Sequence, residues 1–124
     1  MSAPVDHFVG SVDELPPGTH RVVRIGRREI GIFNVGGTLY ALPNLCPHQG
    51  GPLCRARATT GTLEMRLEED GSRSFAWVRE GEIVRCPWHG LEFHVPTGQC
   101  LAYPRIRLRA YEVFVEGSQI VLRT

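Results

Sequence analysis

Hydrophobic positions along this chain recur in short runs rather than at helical intervals. Runs rich in β-branched and aromatic residues, broken by Gly, Pro and Asn, predict a series of strands. They fall at Phe8–Gly10, His20–Ile25, Glu29–Val35, Thr38–Leu42, Thr62–Leu67, Phe75–Arg79, Ile83–Arg85, Leu91–Val95, Arg105–Leu108, Tyr111–Glu116 and Gln119–Leu122. Gly36-Gly37 gives a strong two-residue hairpin signal, because both residues accept positive φ. Asp70-Gly71, Glu80-Gly81, Thr97-Gly98 and Gly117-Ser118 mark further turns. Ser11–Leu15 reads as one capped helical turn, stopped by Pro16-Pro17. The pattern predicts an all-β fold of short antiparallel strands in a sandwich or barrel, without repeats or linkers.

Composition narrows this picture. At 124 residues the chain holds one core, so residues 1–124 are expected to form a single domain. Its 42% hydrophobic content excludes disorder, and a net charge of +1 argues against nucleic-acid binding. All 14 basic residues are arginine, which reads as a compositional bias. The first residues lack a basic segment followed by an apolar one, so no signal peptide is expected. No apolar run approaches the roughly 18 residues of a membrane span. The expected location is the cytoplasm, where cysteines serve as metal ligands or free thiols before disulfides.

Four cysteines and five histidines remain to be explained. Two Pro/Gly-stiffened loops, residues 45–53 and 85–90, carry Cys46-Pro47-His48 and Cys86-Pro87-Trp88-His89. Thiolate and imidazole together suit iron–sulfur, zinc or copper, and not calcium or magnesium. Zinc modules often place two cysteines on one knuckle and two histidines on the other. Here each loop supplies one of each. A [2Fe–2S] centre with two cysteines on one iron and two histidines on the other needs two such facing loops. Gly50, Gly51 and Gly90 leave room for backbone N–H groups near the sulfides. The competing reading is a structural zinc site.

In the contexts CPHQGGPL and RCPWHG, these motifs resemble the Rieske [2Fe–2S] family. Phe93–Gly98 and the hairpin from Tyr111 to Leu122 are similar as well. The resemblance implies a Rieske-type antiparallel β-sandwich or barrel with a small cluster-binding subdomain. It implies one [2Fe–2S] cluster, with Cys46 and Cys86 on the inner iron and His48 and His89 on the outer, exposed one. The extra cysteines of respiratory members are replaced by Gly51 and Trp88, so the chain is similar to soluble Rieske-type ferredoxins and oxygenase-type Rieske domains. The long interval from His48 to Cys86 departs from the usual small ferredoxin. Residues 55–81 should form an added hairpin with Asp70-Gly71 at its tip.

The resemblance implies a one-electron carrier that is not itself an enzyme, relaying electrons from a flavin-dependent reductase to a terminal oxygenase. Alternatives are a small Rieske subunit of a larger oxidoreductase, nitrite-reductase-like or an oxygenase component, and a redox-responsive regulatory module. Rieske potentials span about −150 to +300 mV. Leu91 and Phe93 stand where high-potential members place hydrogen-bonding residues, which predicts the low end. Outside the ligand set, Cys54 and Cys100 read as small buried thiols, the alternatives being Cys54 as a substitute ligand or as a partner of Cys100; His94 reads as an ordinary strand residue, and His7 and His20 as surface residues. Trp88 can shield the cluster or touch a partner. Glu68-Glu69-Asp70 and the alternating Arg105, Arg107 and Arg109 read as solvated faces.

Overall fold

Positive φ at Gly36 and Gly37, +60° and +96°, folds residues 28–35 back onto 38–43 in the hairpin that the sequence predicts. In this computed structural model, which describes residues 3–47, 50–56, 58–88 and 90–124, the described residues form ten strands. They are β1 (Asp6–Ser11), β2 (His20–Ile25), β3 (Arg28–Val35), β4 (Thr38–Pro43), β5 (Thr60–Leu67), β6 (Arg73–Arg85), β7 (Glu92–His94), β8 (Gln99–Cys100), β9 (Glu112–Glu116) and β10 (Gln119–Arg123). Two 3-10 turns, Val12–Glu14 and Leu53–Arg55, complete the list. The first is the capped turn expected at Ser11: the Ser11 N–H donates to Glu14 Oε1 at 3.0 Å and Ser11 Oγ accepts from Asp13 N at 3.3 Å. Among the described residues, no helix is long and apolar enough to cross a membrane.

The strands make three antiparallel sheets ordered β1-β10-β9, β2-β3-β4 and β5-β6-β7-β8. The β2-β3-β4 sheet lies between the other two, and the side-chain alternation of its strands sorts two cores. Ile30, Ile32 and Ala41 point one way, onto Ile120, Leu122, Val113 and Leu15 of the β1-β10-β9 side. Phe33 and Leu42 point the other way, onto Val84, Phe93, Val95 and Cys100 of the β5–β8 sheet. A sheet covered on both faces explains why β3 is apolar almost throughout. Fully burying each such Ile, Leu or Phe stabilises by about 1.5–3 kcal/mol. An isolated bridge from Ala41 to Tyr111 ties the first two sheets together.

Two strand expectations change. Phe75–Arg79 and Ile83–Arg85 are parts of one strand, β6, and Glu80-Gly81 is a bulge rather than a turn. Pairing passes from Thr62–Val78 to Thr60–Ile83, so residues 79–82 bow out opposite Gly61, with φ +57° at Arg79 and +80° at Gly81. Because β5 pairs on both sides of the bulge, the chain bends there without reversing. Arg105–Leu108 is not a strand: Ile106 N donates to Tyr103 O in a turn around Pro104 (2.9 Å), and only Arg107 bridges, to Gln99. Its alternation survives, with Leu108 buried, Ile106 half-buried, and Arg105, Arg107 and Arg109 exposed. The β5–β6 hairpin turns at Glu68–Ser72, where Gly71 has φ +87° and Glu68 N donates to Ser72 O at 2.8 Å.

Candidate metal centre

The chain leaves β4 into one cysteine loop and leaves β6 into the other, and the two loops share one backbone plan. Cys46 N donates to Gly51 O at 2.8 Å, and Gly50 N donates back to Cys46 O at 2.7 Å. In the second loop Cys86 N donates to Leu91 O at 2.9 Å, and Gly90 N donates back to Cys86 O at 2.8 Å. Gly50 and Gly90 both have φ +72°, a left-handed conformation that costs glycine little. Each loop therefore closes five residues after its cysteine, although the histidines stand at different offsets.

Both cysteines are buried in one core cluster with Phe33, Leu53, Val84 and Phe93. The loops meet at Gly51, where an added Cβ would lie 2.9 Å from Cys86 Sγ and 3.1 Å from the Trp88 ring. Leu45 and Trp88 remain 59% and 57% exposed, an apolar rim beside the two loops. A groove of about 620 Å³, lined in part by Ala56, Thr60, Arg85, Pro87 and Gly90, opens beside Cys86.

Each loop is braced from outside. Before and after the second loop, Arg85 and Glu92 are cross-strand partners joined by an ion pair of 2.9 Å, and Thr62 Oγ1 donates to Glu92 Oε1 at 3.0 Å. Behind the first loop, the buried Asn44 accepts the Cys54 N–H through Oδ1 at 2.7 Å, and its own N–H donates to Glu29 O at 2.9 Å. That fixes the Leu53–Arg55 turn, which Arg55 ties to Glu29 at 2.6 Å. Asn44 is not among the residues that the sequence singles out; its signal is an amide side chain directly before an apolar loop, a position suited to bonding backbone.

Of the four expected ligands, Cys46 and Cys86 are both buried in the one core cluster, on loops that meet at Gly51, while His48 and His89 lie outside the described residues. Cys54 and Cys100 are buried free thiols. The Cys54 thiol donates to the carbonyls of Leu42 (3.6 Å) and Pro43 (3.5 Å), and burial pushes its pKa up to about 12. It packs on Gly31, where a Cβ would lie 2.4 Å from Sγ, and so serves the core. His94 does more than fill a strand position: Nε2 lies 2.8 Å from Glu82 Oε1 and Nδ1 lies 3.0 Å from Thr97 Oγ1. His7 and His20 are half-buried rather than surface residues, His7 beside Thr124 Oγ1 at 3.0 Å and His20 stacked on Phe33 with centroids 4.9 Å apart.

Two buried thiol side chains on matched loops, with Gly51 of the first loop lying against the sulfur of the second, fit a thiolate-held iron–sulfur cluster. The soft donors suit iron, and the glycine contact leaves the sulfur of Cys86 uncovered by a Cβ.

Comparison with known proteins agrees. A model of the Rieske [2Fe–2S] domain matches residues 6–112. The ferredoxin component of the naphthalene 1,2-dioxygenase/salicylate 5-hydroxylase systems of a Ralstonia species is 29% identical over 113 residues, 90% of this chain and 88% of that protein. Apoptosis-inducing factor 3 of Mus musculus is 28% identical over 120 residues, but these span 96% of this chain and 16% of that protein. The solved structure of the ferredoxin of carbazole 1,9a-dioxygenase from Nocardioides aromaticivorans superposes with a TM-score of 0.67 at 27% identity, covering 98% of this chain and 97% of that one. The chain belongs to the Rieske [2Fe–2S] domain family, whose members hold one such cluster.

Proposed function

We propose that this protein is a one-electron carrier of the cytoplasm, taking electrons from a flavin-dependent reductase and passing them to a terminal oxygenase. It completes no reaction of its own. Cys46 and Cys86 would hold the inner iron, and His48 and His89 the outer one, within a single domain spanning residues 1–124. The matched cysteine loops meeting at Gly51 carry this reading. The likeness to ferredoxin components of dioxygenase systems supports the direction of flow.

When bound, the cluster supplies a one-electron couple in the range of about −150 to +300 mV. The protein's part is to hold, insulate and present it. Phe33, Leu53, Val84 and Phe93 exclude water behind the cysteines. Cys46 N and Cys86 N are spent on closing their own loops, which fixes the backbone beside each sulfur. Leu45 and Trp88 offer a small apolar rim suited to brief docking, since a carrier must leave each partner quickly.

The test is anaerobic purification followed by visible and electron paramagnetic resonance spectroscopy, with iron and sulfide analysis. Two iron and two sulfide per chain are expected, lost in Cys46→Ser and in Cys86→Ser. A colourless protein holding one zinc would overturn the assignment. Reduction by a flavin reductase and re-oxidation by an oxygenase should both be fast. Stable co-purification with a large oxidoreductase subunit would instead make it a subunit of that enzyme.

A further inference from the structure

In the β5–β6 ladder Leu63 pairs with Trp77 and Met65 with Phe75, and Leu67 stands opposite Arg73. Residues directly opposed across an antiparallel pair, and those two apart along a strand, share a face. Five large apolar side chains therefore line one side of the hairpin. All are more than half exposed, from 54% at Met65 to 73% at Leu67. The other side carries Thr62, Glu64, Arg66, Ser74, Ala76 and Val78 and leans on the body through the Thr62–Glu92 hydrogen bond. The apolar side points away from the domain. At roughly 200 Å² per fully exposed large side chain it presents about 600 Å², the upper end of what a monomer leaves uncovered. A two-stranded hairpin is also marginal in water unless something packs on it.

We propose that this face is where two copies of the chain pair, hairpin against hairpin. Joining two such faces removes about 1,200 Å² from water, the lower bound for a specific stable interface. Charge sets the arrangement. The hairpin tip carries Glu68, Glu69 and Asp70 with Arg73 beside them on the apolar side, and its root carries the exposed Arg79 and Glu80. A twofold axis along the strands would set the two acidic tips side by side. An axis across the strands sets each tip over the partner's root and its arginine, with the Met65–Phe75 rung at the centre. The second arrangement keeps the two acidic tips, net negative even with Arg73, away from each other and sets each near the partner's Arg79. A redox partner is the poorer occupant, because a shuttle that buried this surface would be slow to leave. The rim at Leu45 and Trp88 serves that purpose beside the cysteine loops.

Sedimentation equilibrium of the cluster-loaded protein tests this without reference to electron transfer. The expected mass is twice the 13.8 kDa of the chain. Met65→Glu, at an exposed strand position, should weaken self-association roughly 100-fold while leaving the visible spectrum unchanged. Met65→Cys should cross-link to its own copy on mild oxidation, and Leu67→Cys should not, because only the central rung faces itself. A monomeric wild-type protein, or a dimer indifferent to Met65→Glu, would overturn the proposal. So would a monomer in which Met65→Glu slows reduction or re-oxidation, which would assign the face to a redox partner.

Discussion

Gly51 and Cys86 approach so closely that a methyl group on the glycine would lie 2.9 Å from the sulfur. No relaxed side chain tolerates that contact, and the sulfur cannot retreat because Phe93 and Val84 pack behind it. Gly51→Ala is expected to cost about 1–3 kcal/mol by overpacking and to lower the iron bound per chain. Gly50→Ala is the control. There a Cβ would meet only Leu45 Cδ1 at 3.6 Å, so the penalty is that of a left-handed backbone, about 1–2 kcal/mol. Thermal melts with iron analysis separate the two: both lose stability, but only Gly51→Ala disturbs the spectrum of the centre.

Asn44 is the polar residue on which the first loop rests. Asn44→Ala leaves the Cys54 N–H buried without its acceptor, a loss of about 1–3 kcal/mol. The Leu53–Arg55 turn should loosen with it, so iron should be released faster to a chelator. Chemical denaturation and chelation kinetics measure the two effects. A variant as stable as the wild type would show that the amide is not a brace.

The two cysteine loops were legible in sequence because cysteine, proline and glycine each carry a local constraint, and both loops repeat it. The bulge at Arg79–Glu82 was not, because Glu80-Gly81 has the composition of a turn. Only its pairing with β5 on either side converts it into a bend. Alternation at Leu63, Met65 and Leu67 predicts a half-buried strand equally well whether or not another layer covers it. Coverage depends on how far the hairpin reaches from the body, which no local pattern encodes. The bracing role of Asn44 is hidden from local pattern for a related reason: its partner, the Cys54 N–H, lies ten residues away and belongs to the backbone.

His89→Cys tests the ligand assignment at a position that the cysteine geometry alone does not reach. A third thiolate adds negative charge to the centre and disfavours the reduced form. The potential should fall toward the plant-type value of about −400 mV. Protein-film voltammetry measures it directly, and an unchanged potential would remove His89 from the ligand set.

Cys54 gives the chain a pH dependence that does not involve the metal centre. Burial among Leu42, Leu53 and Phe33 pushes its thiol from 9.0 to about 12, against a smaller opposing pull from the Gly31 backbone. A raised pKa means that the folded state prefers the neutral thiol. The resulting stability is complete below about pH 9 and is lost as pH rises toward 12, at about 1.4 kcal/mol per unit. Cys54→Ala abolishes that slope, and at neutral pH it costs about 1 kcal/mol for the vacated space. The two effects oppose each other. Wild type should be the more stable protein at pH 7, the curves should cross near pH 10, and the variant should be the more stable above that. Taking the difference between the two proteins cancels every tyrosine and arginine that titrates in both. A difference that stays constant from pH 7 to 11 would show that the thiol is far less shielded than its contacts require.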